Sequence, residues 1–291
     1  STGRAAGRMV RGQTTLGPPT NERNCELPMS QAIITLTTDF GHKGPFVGIM
    51  KGVILSRLPA ATIVDLTHEV QAHWPAEAGF WLAHSYRNFP TGTVHVAVVD
   101  PSVGTERDIL GCELDGHIFL APDNGILSDV IGSRTNTPCY RLNEAMLKSL
   151  NPGKISATFH GRDVFAPLAA EIASGRIGVN AIGSATRDIV PSLVEGPENL
   201  GSRLQGTIVA VDSFGNLISN VSRKALSELN RPVINCGGRN LLLQDTYGRS
   251  QPGELLALIN SFGMLEIARA EGDAAEFLSL GLGAPISITE R

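Results

Sequence analysis

Gly92 to Arg107 reads GTVHVAVVDPSVGTER, and the parsing of that stretch decides the fold. Thr93 to Val99 is an almost unbroken apolar and β-branched run. It is too short for an ordinary helix and suits a strand covered on both faces. The run stops at Asp100, and Pro101 and Gly104 mark a tight turn after it. A carboxylate at that point lies where open α/β sheets bind ligands, beyond the carboxyl ends of the strands.

The same grammar repeats towards the N-terminus. Ala32 to Thr37 (AIITLT) predicts a buried strand, followed directly by Thr38-Asp39-Phe40-Gly41. Phe46 to Arg57 predicts a helix with Phe46, Ile49, Met50, Val53 and Ile54 on one face. Ala61 to Asp65 predicts a strand, and Pro75 to Arg87 a helix with its proline in the first turn. Strand, helix, strand, helix, strand is the pattern of an α/β domain with a mainly parallel sheet flanked by helices. Strands at Ile109 to Leu114 and His117 to Ala121 should follow, then a helix at Ile126 to Ile131. A further helix should open at Asp163 or Val164 and run towards Ser174. Gly178 to Leu200, with Pro191 and Pro197, reads as a mixed connection.

Beyond it the character changes. Thr207 to Val211, Leu217 to Val221, Val233 to Cys236 and Asn240 to Leu243 are short strands between turn residues. Glu254 to Ile259, Met264 to Ala268 and Pro285 to Ile288 continue the series, with a short helix expected at Asp273 to Leu278. This predicts a smaller, mainly β C-terminal domain of barrel or sandwich type. The expected division is therefore an α/β domain over 32–190 and a β domain over 201–291. Residues 1–31 mix Gly, Pro, Thr, Asn and Arg without apolar periodicity, and they read as a leader or disordered extension. Met29 is a candidate natural start within them.

Composition narrows the function classes. A chain of 291 residues with 42% hydrophobic and 18% charged residues is globular, not disordered. The net charge of -4 and the lack of a basic stripe argue against a nucleic-acid partner. No apolar run approaches the roughly 20 residues of a spanning helix. Cys25, Cys112, Cys139 and Cys236 are far apart without metal-ligand spacing, and they read as reduced, buried thiols of a cytoplasmic protein. No His-x-x-x-His pair supports zinc, and neither Gly-x-Gly-x-x-Gly nor a Walker sequence is present to cradle a nucleotide phosphate.

Four short motifs could carry chemistry. Asp39 could accept hydrogen bonds from a ribose diol, or simply cap a turn. The turn after Asp100 could fold Arg107 back onto it, as part of a site or as a structural ion pair. Thr158-Phe159-His160-Gly161-Arg162-Asp163 puts a histidine at a loop–helix junction, where it could orient a small ligand or face solvent. In Asp212-Ser213-Phe214-Gly215-Asn216, Asp212 could bind an ammonium group, Phe214 could stack on a base and Asn216 could read a base edge. A plain β-turn competes with that reading.

Taken in order, these motifs resemble the S-adenosyl-L-methionine hydroxide adenosyltransferase family, hydrolases related to fluorinases and chlorinases. The matching text is TLTTDFG (Thr35 to Gly41), MKGVI (Met50 to Ile54), IVDLTHEV (Ile63 to Val70) and the Gly92 to Arg107 stretch. It continues with PDNG (Pro122 to Gly125), SATFHGRDVFAP (Ser156 to Pro167), DSFGN (Asp212 to Asn216) and LEIA (Leu265 to Ala268). The resemblance implies hydrolysis of S-adenosyl-L-methionine to adenosine and methionine by in-line attack of water or hydroxide on the ribose 5′ carbon. It also implies a homotrimer with sites between neighbouring subunits, and no metal or separate cofactor.

By the same resemblance, Asp100, Arg107 and His160 are the catalytic triad around the attacking water. Asp39 holds the ribose hydroxyls, with Thr158 and Phe159 on the ribose side. Asp212 contacts the methionine amino group, Phe214 and Asn216 form the adenine pocket, and Ser261 contacts the methionine carboxylate. Related halogenases carry tyrosine at the position of Asp100, while Gly161 stands where fluorinases place a halide-contacting serine. Two residues depart from the pattern: Ser102 replaces a glycine, and Phe262 follows Ser261 where halogenases have arginine. A chlorinase-like halogenase, a non-catalytic S-adenosylmethionine sensor and a metal-dependent hydrolase built on Asp39, Asp100 and His160 are the competing readings.

Overall fold

The computed structural model describes residues 2–3, 32–134 and 136–290, so the expected leader apart from residues 2–3, with Cys25 and Met29 in it, lies outside the described residues. The chain builds a seven-stranded sheet followed by an eight-stranded one. The first sheet comprises β1 (Ile33–Thr38), β2 (Thr62–Thr67), β3 (Val94–Val98), β4 (Ile109–Leu114), β5 (His117–Pro122), β6 (Cys139–Leu142) and β7 (Gly183–Thr186). Its order is β2-β1-β3-β5-β4-β6-β7. The strands β2, β1, β3 and β5 run parallel, whereas β4, β6 and β7 join antiparallel. The parallel half is the part predicted from the alternation of strands and helices. The antiparallel half includes β6 and β7, which local sequence did not announce.

Helices cover both faces, as a sheet with buried strands requires. On one face, α1 (Phe46–Arg57) and α5 (Ala166–Ala173) close over Ile34, Leu36, Val94 and Val96. On the other, α2 (Pro75–Ser85) and α3 (Ile126–Ile131) close over Ala97, Val99, Leu110 and Phe119. A further helix, α4 (Glu144–Leu150), is capped by the Asn143 side chain, which accepts from the Met146 N–H. The buried stripe of α1 is Val47, Met50 and Ile54. Phe46 and Ile49, predicted on the buried face, are exposed instead. Phe46 turns towards a cleft, where its ring meets Phe40 and Phe159.

The second sheet comprises β8 (Glu198–Asn199), β9 (Arg203–Val211), β10 (Leu217–Ser222), β11 (Pro232–Cys236), β12 (Arg239–Gln244), β13 (Leu255–Ile259), β14 (Met264–Arg269) and β15 (Pro285–Glu290). The order β10-β14-β13-β12-β11-β15-β9-β8 is closed by an extra pairing between β10 and β9, which makes a barrel. Only the β12–β13 pair is parallel. Ile208, Leu217, Ile234, Leu265, Ile267, Ile286 and Ile288 fill the interior. Closure removes all but the short β8 edge, which protects the strands from further pairing. Cys112, Cys139 and Cys236 are free and buried. No helix among the described residues is long and apolar enough to cross a membrane.

Candidate active site

Parallel pairing sets Thr38 opposite Val98. The carboxyl ends of β1 and β3 are therefore neighbours, and Asp39 and Asp100 emerge side by side. Both line a cleft of about 350 Å³ together with Phe40, Phe46, His73, Thr158, Phe159 and His160.

Asp100 is held by Arg107. The Arg107 Nε donates to both carboxylate oxygens, at 2.9 and 2.7 Å, and Nη2 also donates to Oδ2. The two side chains are 4% and 7% exposed, so this is a buried ion pair and not a surface one. Burial makes such a pair costly to assemble and more costly to break, because a single partner would be left charged and unpaired. Ser102, the departure from the usual glycine, is exposed and does not need a left-handed backbone, so the turn accommodates its side chain.

Arg107 Nη2 also lies 2.9 Å from His160 Nδ1. A guanidinium can only donate, so Nδ1 must be the acceptor and carries no proton. Burial first, and the Arg107 charge second, push the His160 pKa below 6.5. The ring is therefore neutral near pH 7, with its proton on Nε2. Nε2 has no protein partner among the described residues, which leaves an N–H donor for a ligand in the cleft.

Two features hold this trio in place. Gly104 has φ +81°, and a β-carbon there would stand 2.1 Å from the Ala157 carbonyl oxygen. The absence of a side chain lets the loop carrying Arg107 press onto the loop carrying His160. Asp163 then pins the second loop: it accepts from the Ser156 N–H at 2.8 Å and from Arg162 at 2.6 and 2.8 Å. The following helix begins earlier than the sequence suggested. Gly161–Phe165 forms a π-helical turn, a form concentrated at functional sites, and His160 sits at its head. A β-carbon on Gly161 would lie 3.0 Å from Met50 Sδ and 3.3 Å from the Phe40 and Phe159 rings, so little space remains there.

Asp39 Oδ2 accepts the backbone N–H of His73 at 3.1 Å. His73 itself has φ +64°, uncommon for a residue with a side chain. Sequence reasoning missed His73, Phe40 and Phe46. Phe40 belongs to the Thr38-Asp39-Phe40-Gly41 motif, but nothing local marked His73.

The remaining expected residues lie elsewhere in the chain. Asp212, Phe214 and Asn216 line a second cleft, of about 520 Å³, on the barrel. Asp212 and Ser261 line a third, of about 430 Å³. Asp212 Oδ1 accepts the N–H groups of Phe214 and Asn216, both at 2.9 Å, and its Oδ2 accepts Asn216 Nδ2 at 2.9 Å. The turn reading of this motif is thus correct as local structure. It leaves the Asn216 side-chain Oδ1 without a protein partner among the described residues, and Phe214 75% exposed. Tyr247 and Glu266, not singled out from sequence, line the third cleft as well. Within one chain the structure gathers Asp39, Asp100, Arg107, Thr158, Phe159 and His160 at one place. Asp212, Phe214, Asn216 and Ser261 gather at another.

Among the described residues no group of His, Cys, Asp and Glu is arranged to hold a metal ion. Both Asp100 oxygens and the acceptor nitrogen of His160 already face a guanidinium.

Comparison with known proteins gives two family matches. Residues 34–183 match the SAM hydroxide adenosyltransferase N-terminal domain, and residues 206–287 match the SAM hydroxide adenosyltransferase C-terminal domain. The chain is 32% identical to an (R)-S-adenosyl-L-methionine hydrolase of Thermus thermophilus, over 86% of this chain and 97% of the relative. It is 27% identical to a fluorinase of an Actinoplanes species, over 89% and 97% respectively. A crystal structure of an uncharacterized conserved protein from Thermotoga maritima superposes with a TM-score of 0.79 at 31% identity, covering 88% of this chain and 100% of that one.

Proposed function

The chain belongs to the SAM hydroxide adenosyltransferase family, and from that premise we propose that it hydrolyses S-adenosyl-L-methionine to adenosine and L-methionine. The observation that carries the reading is the buried Asp100–Arg107–His160 trio at the edge of a nucleoside-sized cleft. In the proposed reaction, a water oxygen bonds to the ribose 5′ carbon while the bond from that carbon to sulfur breaks. The bonding pair goes to sulfur, and methionine leaves as a neutral thioether that needs no general acid. Asp100 accepts the water proton and passes it to solvent. Arg107 fixes the direction of the carboxylate, and its second bond sets the His160 tautomer. His160 Nε2–H then donates to the attacking oxygen. Holding the nucleophile in line is worth about 7–11 kcal/mol in well-oriented cases.

Asp39 is proposed to bind the ribose diol, with Thr158 and Phe159 beside it. Asp212, Phe214, Asn216 and Ser261 are proposed to bind the amino-acid arm and the adenine. The separation of these two groups within one chain supports a homotrimer in which the barrel clefts of one copy complete the cleft of Asp100 in its neighbour. The exposed Phe214 ring supports this too, since a base-stacking residue is most useful against a surface that covers it.

A carboxylate at Asp100 favours water over halide, because it repels an anion and accepts a proton. The hydrolase relatives are (R)-S-adenosyl-L-methionine hydrolases, and we extend a preference for the (R) sulfonium epimer to this chain. The test is incubation with each sulfonium epimer, with and without chloride, and chromatographic identification of products. Adenosine formed faster from the (R) epimer is expected. A halogenated nucleoside, or tight binding without any product, would overturn the reading.

A further inference from the structure

Thr38, Lys51, Asp65 and His68 come from three stretches that resemble the family, TLTTDFG, MKGVI and IVDLTHEV, and none of the four has a part in the proposed reaction. The fold joins them in one network. Taking Asp39 as the group that binds the ribose diol, we infer that His68 is a positioning residue for it. Through Thr38, the His68 imidazole fixes the turn that aims the Asp39 carboxylate, and so sets the preference for a nucleoside with free 2′ and 3′ hydroxyls.

His68 is 1% exposed, and Thr38 is fully buried. The His68 Nδ1 lies 2.8 Å from Thr38 Oγ1. On the other side of the ring, Nε2 faces Asp65 Oδ1 at 3.0 Å. Lys51 Nζ, on α1, donates to Asp65 Oδ2 at 2.6 Å. Burial acts against ionisation of Asp65, but Lys51 and His68 together outweigh it and hold its pKa below the ordinary value. A carboxylate facing Nε2 requires a proton there. In the neutral ring Nδ1 is then the acceptor, and the Thr38 hydroxyl donates to it. The same hydroxyl oxygen accepts the Phe40 N–H at 3.2 Å. The network thus runs in one direction, from the Phe40 amide through Thr38 and His68 to Asp65.

Asp39 stands in the middle of the turn that this network holds. The Gly41 N–H donates to the His68 carbonyl at 2.8 Å, so the turn is tied to His68 at both ends, once by the ring and once by the backbone. Farther along the same segment, the His73 N–H fixes Asp39 Oδ2. Asp39 Oδ1 has no protein partner among the described residues. One carboxylate can grip two neighbouring hydroxyls only if surrounding bonds hold its orientation to within roughly 10–20°. Loss of the Thr38–His68 bond would free one end of the turn and leave two buried polar groups unpaired.

The test measures calorimetric dissociation constants of adenosine and of 2′,3′-dideoxyadenosine, which lacks both hydroxyls, on the full chain. The wild type should bind adenosine the more tightly. Thr38→Val removes the hydroxyl at nearly constant volume. It should cut that preference by about tenfold, the typical effect of one hydrogen bond to a charged group. His68→Gln, whose amide reaches the Nε2 position, should do the same. His68→Asn, whose amide oxygen reaches the Nδ1 position, should keep most of the preference. A merely structural role predicts weaker binding of both nucleosides at an unchanged ratio, and that result in Thr38→Val overturns the inference. If Thr38→Val does not fold, the two His68 variants decide, and equal preferences in them overturn it. Asp39→Ala separates this outcome from the reading beneath it. A preference that survives in Asp39→Ala removes Asp39 from the diol, and the inference falls with it. A preference lost there but kept in Thr38→Val sinks the inference alone. Binding needs no turnover, so a failure of hydrolysis leaves these results readable.

Discussion

Gly104 and Ala157 touch backbone to backbone, at a separation that would place a β-carbon 2.1 Å from the Ala157 carbonyl oxygen. This contact joins the Arg107 loop to the His160 loop. Gly104→Ala should therefore separate them, since both the clash and the +81° φ act against a side chain. A loss of about 1–3 kcal/mol in urea unfolding is expected, with a larger proportional loss of turnover. Parental stability and rate in this variant would show that the loops do not depend on the contact.

Asp100→Asn removes the charge that answers a guanidinium only 7% exposed. Turnover should fall by a factor of about a hundred or more, while S-adenosylmethionine still binds in a calorimeter. Stability should drop too, by up to about 3 kcal/mol, because Arg107 is left charged and uncompensated. Hydrolysis at the parental rate would remove Asp100 from the role of base.

The pH profile should report His160. Its folded pKa is depressed, chiefly by burial and then by Arg107. The neutral ring, with Nδ1 free to accept from Arg107, thus persists below pH 6.5 and is lost only as pH falls further. The acid limb of kcat/KM attributable to His160 is expected below 6.5, and His160→Ala should abolish that limb along with most activity. A limb above 6.5 that vanishes in the variant would contradict the geometry.

Acid stability should depend on a different histidine. His95 is fully buried between Thr35 Oγ1 at 2.8 Å and His117 Nδ1 at 3.1 Å, and burial drives its pKa from 6.5 down to about 3. The unfolded chain takes up a proton below 6.5 that the folded chain refuses. Its contribution is therefore complete above pH 6.5 and is lost as pH falls towards about 3, at a cost on the order of a few kcal/mol. Urea midpoints of wild type and His95→Gln, measured near neutrality and near pH 5, should show a shallower pH slope for the variant. Identical slopes would rule His95 out.

Phe214 is 75% exposed, so Phe214→Ala should change stability by no more than about 0.5 kcal/mol. If the ring stacks on adenine, KM should nevertheless rise markedly with little change in kcat. A variant that loses stability but keeps its KM would reassign Phe214 to folding.

Much of the architecture was legible because it is local. Helix α1 has the predicted limits, Phe46 to Arg57, since its spacing and flanking Gly and Pro residues are neighbours in sequence. Its buried face was not legible to the same degree. Val47 is buried while Phe46 and Ile49 are not, because the sheet and α5 decide which side of the helix is covered. Strands β6 and β7 escaped notice for a related reason. Cys139–Leu142 and Gly183–Thr186 are four residues each, and the second is nearly without apolar side chains. Such segments become strands only when a partner edge is offered to them.

By itself, the sequence determined the succession of strands and helices, the change to a β barrel, and the residue types brought to the chemistry. These follow from periodicities and turn residues acting over a few positions. Tertiary structure decided that Arg107 bridges Asp100 and His160, fixing the tautomer of a histidine 53 positions away. It also decided that Asp212, Phe214, Asn216 and Ser261 face clefts apart from that trio. Those outcomes rest on parallel strand pairing, barrel closure and one glycine's close approach, all made between segments distant in sequence. No local pattern encodes such distances, because they are set by how whole elements pack.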